Sequence, residues 1–134
     1  MNTSSMKSKP VETRKKSPRV TTIVRPWGHM QLHASKTRYW IKTIVVKPGH
    51  RLSLQKHNHR SEVWVCVKGE LTAEIAGRKK RLTPGVIVSF KPGVLHRLSS
   101  KKGGVIVEVA YGTHVAENDI IRIADDYSRA SRNP

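Results

Sequence analysis

Short apolar runs punctuated by glycine and proline are the feature that most limits what this chain can fold into. Glycine or proline ends nearly every run, and no amphipathic helical pattern lies between them. Short strands at such even spacing predict an antiparallel sandwich or barrel, and so an all-β fold class. The predicted strands are Tyr39–Val46, Leu52–Gln55, Glu62–Lys68, Leu71–Ile75, Lys79–Leu82, Val86–Phe90, Val94–Leu98 and Val105–Val109, with a short strand or turn at Ile120–Ile123.

The length of 134 residues allows one domain with a core and is too short for two domains that each have an adequate core. Residues 1–20 hold almost nothing apolar and are predicted to be a disordered basic tail. We expect the domain at 21–129 and a flexible C-terminus at 130–134. No apolar run approaches the roughly 20 residues of a membrane span, and none follows the N-terminal basic residues. Neither a membrane protein nor a secretory signal peptide is therefore expected.

Cys66 is the one cysteine of the chain. A single cysteine excludes an internal disulfide and a cysteine-based zinc site. Its place in an apolar strand predicts a small buried side chain rather than a nucleophile. A reduced thiol is compatible with the cytoplasm, which is the compartment we expect.

The formal charge of +17 favours anionic partners, which include nucleic acid, phosphorylated metabolites and acidic membranes. Residues 1–20 carry six Lys or Arg against Glu12, so +12 of the total lies on the remainder of the chain. A solvated basic surface accounts for this charge at least as well as a nucleic-acid site. Aromatic residues make up only 5% of the chain, and a nucleic-acid-binding module therefore ranks last among the functions considered.

A group of ligand-type side chains follows the second predicted strand. Side chains alternate along a strand, so Gln55, His57 and His59 would share a face, and polar groups facing a core are costly unless something satisfies them. A bound cation is one way to do so. Glu62 begins the next strand after a short turn, and a barrel can bring His96 to the same cavity. Two sets remain open: Gln55 and His57 with Glu62, or His57 and His59 with Glu62.

These residues resemble the two motifs of the cupin family. The resemblance implies the cupin fold, a small RmlC-like jelly roll. The first motif is matched at every spacing by Gly49, Gln55, His57, Glu62 and Gly69, with Gln at the position that usually holds His. The second motif is matched by Gly85, Gly93 and His96. It departs from the family at Lys91, where Pro is expected, and at Ser100, where Asn is expected.

A narrower resemblance covers about residues 21–129. The run from Leu52 to Trp64 is similar to the cupin of type II phosphomannose isomerases, commonly the C-terminal domain of bifunctional mannose-1-phosphate guanylyltransferases. Further matching pieces are Arg25-Pro-Trp-Gly28, Lys47-Pro-Gly49, His96-Arg97-Leu98, Glu108, Glu117–Arg122 and Asp125–Tyr127. No nucleotidyltransferase domain or Gly-rich nucleotide loop is recognised. The resemblance implies a metal-dependent isomerase that converts mannose-6-phosphate to fructose-6-phosphate through an enediol.

The resemblance also implies roles for individual residues. Gln55, His57, Glu62 and His96 would hold a divalent metal ion, and zinc, manganese, iron, cobalt and nickel all suit these ligands. Basic positions of the family pattern that would bind the phosphate are Arg60, Arg97 and Arg122. His59 or a lysine is the candidate catalytic base. The family implies a homodimer that exchanges or pairs edge strands, and the alternative function is a non-catalytic cupin that binds a sugar phosphate or another metabolite.

Overall fold

The structure is a computed structural model that describes residues 20–130. The predicted basic tail, except for Val20, and residues 131–134 lie outside the described residues. Twelve strands and no helix occur within the described range. The strands are β1 (Thr21–Arg25), β2 (Gly28–Ser35), β3 (Tyr39–Val46), β4 (His50–Arg51), β5 (Leu54–Lys56), β6 (Arg60–Gly69), β7 (Leu71–Ile75), β8 (Arg78–Leu82), β9 (Ile87–Phe90), β10 (His96–Ser100), β11 (Gly104–Gly112) and β12 (Ile121–Ala124).

The strands form two antiparallel sheets. Sheet 1 has the order β1-β2-β3-β11-β6-β9, and sheet 2 has the order β12-β5-β10-β7-β8 with β4 also paired to β10. Buried side chains from both sheets share one main apolar cluster, so the sheets pack face to face around a common interior. The predicted all-β jelly-roll fold class is confirmed. The described part of the chain contains no helix with the length and hydropathy that a membrane span requires.

Strand β2 is the one long strand that the sequence did not predict. Its alternating residues His29, Gln31 and His33 are polar, so the strand lacks the continuous β-branched run that marks its neighbours. The turn that joins β1 to β2 needs Gly28, because a Cβ there would lie 2.0 Å from the carbonyl oxygen of Val45. This packing explains why glycine occupies the last position of the Arg25-Pro-Trp-Gly28 segment.

Inward-facing side chains change character along the strands of sheet 1. Ile106 lies opposite Ile44 and Cys66, whereas Glu108, two residues further along β11, lies opposite Lys42 and Trp64. The apolar half of the interior is Ile44, Val46, Cys66, Leu71, Leu82, Leu98 and Ile106. The polar half is Trp40, Lys42, Gln55, His57, Arg60, Glu62, Trp64, His96 and Glu108.

Candidate metal centre

Three buried side chains from different strands meet in the polar half. Glu62 projects inward from β6 of sheet 1, and His96 projects inward from β10 of sheet 2. His57 follows the short strand β5, whose residue Gln55 pairs directly with His96. One potential ligand atom from each of His57, Glu62 and His96 lies within 4.8 Å of the other two. The two sheets therefore bring together residues that are up to 39 positions apart in the sequence.

The spacing of these atoms suits a single metal ion. His57 Nε2 lies 3.1 Å from His96 Nε2 and 3.1 Å from Glu62 Oε2. His96 Nε2 lies 3.9 Å from Glu62 Oε1. Nitrogen and oxygen ligands bind Zn²⁺ at about 2.0–2.2 Å, and two atoms on one ion are then roughly 3–4 Å apart at ordinary bond angles. The three side chains fit a divalent cation without rearrangement of the backbone.

Main-chain carbonyls fix the orientation of both imidazoles and the nitrogen that donates from each ring. His57 Nδ1 lies 2.7 Å from the carbonyl oxygen of Asp119, and His96 Nδ1 lies 2.9 Å from that of Val94. A carbonyl oxygen can only accept a hydrogen bond, so each Nδ1 carries the proton and donates it. In the neutral rings each Nε2 then presents a lone pair, and the two lone pairs face each other. A cation between them satisfies both, as in metal sites whose histidines donate their second nitrogen to a carbonyl.

Burial and hydrogen bonding set the charges in the centre. Burial lowers the pKa of His96 to about 4, against the attraction of the Glu62 carboxylate, so this imidazole is neutral at pH 7. Burial opposes ionisation of Glu62, but its contacts with the two histidines and with Glu108 hold its pKa well below the ordinary value. Burial and the neighbouring Glu62 carboxylate raise the pKa of Glu108 well above its ordinary value. The two glutamates therefore share one negative charge.

Indole groups hold this pair of glutamates in place. Trp64 Nε1 donates to Glu62 Oε1 and Glu108 Oε1, each at 3.1 Å. Trp40 Nε1 donates to Glu108 Oε2 at 2.9 Å. Both tryptophans are almost fully buried, so these bonds orient the carboxyl groups in surroundings from which water is excluded.

Gln55 lies beside the three ligand residues. Its amide nitrogen is 3.5 Å from His96 Nε2, and its Oε1 accepts a hydrogen bond of 2.7 Å from Ser53 Oγ. A half-turn of the amide would direct Oε1 toward the centre, and the Ser53 hydroxyl can accept from the amide as well as donate to it. The position of Gln55 thus allows it to serve as a fourth ligand.

Arg60 contacts the ligand residues themselves. Its Nε donates to Glu62 Oε2 at 2.9 Å, and its Nη2 donates to His57 Nε2 at 3.2 Å. Its guanidinium lies 4.4 Å from the centre of the Trp40 ring, where a cation is favourable, and Nη1 donates to the carbonyl oxygen of Ala116. The sequence placed Arg60 in a phosphate site, and the structure places it in the wall of the metal centre.

A cavity of about 50 Å³ adjoins the centre. Gln55, Arg60 and Arg122, all named from the sequence, line it. Its other charged or ionisable lining residues are Arg25, Lys42, Glu108, Glu117 and Arg129. Burial lowers the pKa of Arg122, the nearby cations of Arg129 and Arg25 lower it further, and the carboxylates of Asp125 and Glu117 oppose them. Three arginine side chains that line one small cavity attract an anion.

Two residues named from the sequence lie elsewhere. His59 is exposed in the turn before β6, where its backbone N–H donates to Asp119 Oδ2 at 2.8 Å. Arg97 points to the opposite side of β10 from its neighbour His96, and its guanidinium donates to the carbonyl oxygens of Leu52 and Ala124. Neither residue lines the cavity beside the metal centre.

Several residues of the cavity were given no role by the sequence reasoning. Lys42 is 2% exposed, and its amine pairs with Glu117. Alternation within β3 could have found it, because Trp40, Ile44 and Val46 share its inward face. Arg25 and Arg129 gave no such signal, since an arginine in a chain this basic reads as a solvated charge.

The geometry defines a class of protein. Two antiparallel sheets that enclose a buried His–Glu–His set form a cupin that carries the ligands of a metal centre. More narrowly, residues 12–125 match the family described as mannose-6-phosphate isomerase C-terminal, and the chain belongs to that family. The resemblance given by the cupin motifs is thereby confirmed.

Individual relatives agree with this assignment. The chain is 38% identical over 108 residues to a mannose-1-phosphate guanylyltransferase of Sinorhizobium fredii. The aligned region covers 78% of this chain and 21% of that protein. It is 39% identical over 111 residues to the xanthan biosynthesis protein XanB of Xanthomonas campestris, covering 80% of this chain and 23% of that protein. The chain thus spans about a fifth of the length of these relatives.

A solved structure confirms the fold. An RmlC-like cupin from Shewanella frigidimarina superposes with a TM-score of 0.66 at 20% identity, covering 75% of this chain and 88% of that one. At this level of identity the likeness speaks for the architecture alone.

Proposed function

We propose that this protein is a metal-dependent isomerase that interconverts mannose-6-phosphate and fructose-6-phosphate. The observation that carries the proposal is the buried His57–Glu62–His96 set beside a cavity that is lined by Arg25, Arg122 and Arg129. A metal centre beside an anion site suits the isomerisation of a sugar phosphate, because the metal can stabilise the enediolate oxygens and the cations can bind the phosphate. Membership of the isomerase C-terminal family supports the same assignment.

The metal ion would be held by His57, Glu62 and His96, with Gln55 as the fourth protein ligand. Zinc, manganese, iron, cobalt and nickel all suit this nitrogen and oxygen set. When bound, the ion supplies Lewis acidity that stabilises negative charge on the oxygens at C1 and C2 of the sugar. Arg60 Nε donates to Glu62 Oε2 and would orient this carboxylate, whereas its contact with His57 Nε2 uses the lone pair that the metal would take.

The proton transfer is assigned to the pair formed by Lys42 and Glu117. The reaction removes the proton from C2 of mannose-6-phosphate, forms an enediol, and returns a proton to C1, while the hydroxyl proton of O2 passes to O1. Glu108 is the poorer candidate, because burial and the Glu62 carboxylate raise its pKa and so favour the protonated form, which cannot accept a proton. Glu117 is the other acidic residue that lines the cavity, and Lys42 holds its carboxylate there.

The phosphate of the substrate is assigned to Arg25, Arg122 and Arg129. Arginine binds phosphate oxygens through paired N–H groups, and the three side chains line the cavity. Arg129 donates two hydrogen bonds to Asp125, so a phosphate would take the place of that carboxylate at Arg129. Arg97 is excluded from this role in our proposal because it does not line the cavity.

Substrate entry requires movement of the segment that follows β11. The cavity of about 50 Å³ is far smaller than the roughly 300 Å³ or more of pockets that enclose small molecules. This segment supplies four of the residues that line the cavity, which are Glu117, Ile120, Arg122 and Arg129. The small cavity also favours a second candidate, a cupin that holds a metal and binds a small metabolite without turning it over.

We propose the cytoplasm as the compartment under either function, in keeping with the single free thiol of Cys66.

A coupled assay distinguishes the two functions. The protein is stripped of metal, reloaded with each of the five metals, and assayed for conversion of mannose-6-phosphate to fructose-6-phosphate. We expect metal-dependent turnover that His57→Ala removes and that His59→Ala, a change in an exposed histidine, retains. Bound metal without turnover by any loaded form would refute the isomerase and leave the binding protein.

The Glu117→Gln variant tests the assignment of the base. The amide keeps a hydrogen-bonding oxygen for Lys42 but cannot accept a proton, so kcat should fall by about 10²–10⁴-fold. Metal content should stay at the wild-type value because Glu117 is not one of the ligand residues. Unchanged kcat would remove Glu117 from the mechanism.

A further inference from the structure

The outer face of sheet 2, which is the side turned away from the core, contains a hollow of about 520 Å³. Strand pairing places Thr72 of β7 beside Ser99 of β10 and Glu74 beside Arg97, and all four residues line the hollow. Sites of about 300–1,000 Å³ accommodate small molecules. Neighbouring residues of a strand point to opposite faces, so Arg97 and His96 belong to different sites, and the hollow is separate from the metal centre.

Cations outnumber carboxylates around the hollow. Its four cations are Arg51, Lys79, Arg97 and Lys101, and its two carboxylates are Glu74 and Asp126. Arg51 is neutralised by Asp126, to which its Nε and Nη2 donate at 2.7 and 2.8 Å. The excess of two positive charges therefore lies on the other three cations, with Glu74 alone against them. A phosphate monoester carries a charge of about −1.5 to −2 at pH 7 and matches this excess.

Arg97 differs from the solvated arginines of this basic chain because it is only 8% exposed. Its Nε donates a hydrogen bond to the carbonyl oxygen of Leu52, and its Nη2 donates one to that of Ala124. A guanidinium has five N–H groups, so three of them have no acceptor among residues 20–130 and remain for a ligand or water. Burial lowers the pKa of Arg97, the nearby cation of Arg51 lowers it further, and nearby carboxylates oppose them. A buried cation with unused donors is stabilised by an anion that reaches it.

The rest of the hollow offers partners to the hydroxyl groups of a ligand. The side-chain hydroxyls of Thr72 and Ser99 can each donate and accept a hydrogen bond, and the carboxylate of Glu74 can accept one. Lys79 and Lys101 are exposed and carry their ammonium groups on flexible stems, so both can close on a bound phosphate. A concave site in which carboxylates lie among the cations suits a small ligand, because a long polyanion would be repelled by those carboxylates.

We propose that this hollow is a second binding site of the protein and that its ligand is a phosphate ester of a small polyhydroxy compound. The phosphate group contacts Arg97, Lys79 and Lys101, and the hydroxyl groups of the ligand contact Thr72, Ser99 and Glu74. Because the site lies on the outer side of sheet 2, its ligand is bound apart from any substrate of the metal centre. The proposal does not depend on the isomerase activity, and its test measures binding without turnover.

Nuclear magnetic resonance of the ¹⁵N-labelled chain, titrated with glycerol 3-phosphate at constant ionic strength, tests the site. We expect saturable shifts of the amide signals of Thr72, Glu74 and Ser99. Lys79→Glu should weaken the affinity read from these signals by about 10-fold or more, because a repelling charge replaces an attracting one. The matched control is Lys80→Glu, which changes the charge equally. Lys80 is also exposed but pairs with Ala73 and leaves β8 on the other side, so its affinity should stay within about 2-fold of the wild type.

Two results would overturn the proposal. One is the absence of saturable shifts at these residues up to about 10 mM ligand. The other is an equal loss of affinity in Lys79→Glu and Lys80→Glu, which would mean that the basic surface attracts anions as a whole. Circular dichroism shows whether Lys79→Glu keeps the native fold. If it does not, Lys101→Glu serves in its place, because Lys101 is an exposed residue of the turn after β10 and lines the same hollow.

Discussion

The two halves of the interior are built by the same strands and differ in almost every other respect. On β3, Val46 and Ile44 belong to the apolar half, and Lys42 belongs to the polar half of the same inward face. On β11, a step of two residues from Ile106 to Glu108 makes the same change. The apolar half needs only well-packed aliphatic side chains, whereas each polar residue requires a partner to offset its burial.

This difference separates what stabilises the fold from what serves the site. Burial of aliphatic area stabilises the folded chain directly, at about 25 cal/mol per Å². Buried ion pairs contribute little net stability, because desolvation cancels much of their attraction. Changes in the apolar half should therefore act on stability with the site retained, and changes in the polar half should act on the site with smaller effects on stability.

The largest effect is expected for His96→Ala, which should abolish metal binding. Its imidazole is one of three buried ligand groups, and no other histidine of the described residues lies within reach to replace it. Metal content after dialysis and calorimetric titration with zinc or manganese measure the loss. The exposed His114 supplies a matched control, and His114→Ala should bind metal as the wild type does. Equal metal content in both variants would contradict the ligand assignment.

The next largest effect is expected for Leu98→Ala in the apolar half. This side chain is fully buried two residues from His96 on the same face of β10, and its truncation should lower the free energy of unfolding by about 2–5 kcal/mol. Metal stoichiometry of the folded variant should be unchanged. Denaturant unfolding and metal analysis measure the two quantities, and Leu95→Ala, at a 37% exposed position, is the control. Loss of metal from folded Leu98→Ala would contradict the claim that the apolar half acts on stability without affecting metal binding.

A smaller and pH-dependent effect is expected for Asp119→Asn. Burial opposes ionisation of Asp119, but hydrogen bonds from the backbone N–H groups of Asn58 and His59 bring its pKa below the ordinary value of 3.8. A lowered pKa stabilises the folded state fully above the unfolded value, and this contribution disappears as pH falls through the folded value. Since the group is partly exposed, the variant should lose about 1 kcal/mol at pH 7 and almost none at about pH 2. Unfolding curves at both pH values measure the difference, and an equal loss at both would contradict the role of the charge.

The smallest effect on stability is expected for Lys42→Met. The change removes a buried cation and leaves Glu117, which is 53% exposed, in contact with water. Removal of one partner of an ion pair is costly when the other charge stays buried, but Glu117 remains hydrated, so the unfolding free energy should change by no more than about 1 kcal/mol in either direction. Isomerase turnover should nevertheless fall, because Lys42 orients Glu117 in the proposed mechanism. A large loss of stability with full turnover would contradict the assignment of Lys42 to the site, because the residue would then serve the fold.

The sequence predicted the fold class and most strands because their signals are local. Gly–Pro turns and β-branched runs mark β3, β6, β7 and β11, and the cupin spacing brought His57, Glu62 and His96 together as candidate ligands. Strand β2 was missed because its polar alternation resembles a loop. Alternation alone would have separated Arg97 from His96, since neighbouring residues of a strand point to opposite faces. The sequence could not place Arg25 or Arg129, because their positions depend on how distant segments close over the cavity.

The carbonyl oxygens of Asp119 and Val94, which hold the two imidazoles, have a consequence for how this site can change over evolution. Both carbonyls belong to the main chain, so substitution of any neighbouring side chain leaves the acceptors in place. The rings keep their metal-facing lone pairs while the surrounding arginines, glutamates and tryptophans vary. A lineage can therefore alter the substrate or the chemistry of this cavity by side-chain replacement alone, and the orientation of its histidines is inherited with the backbone.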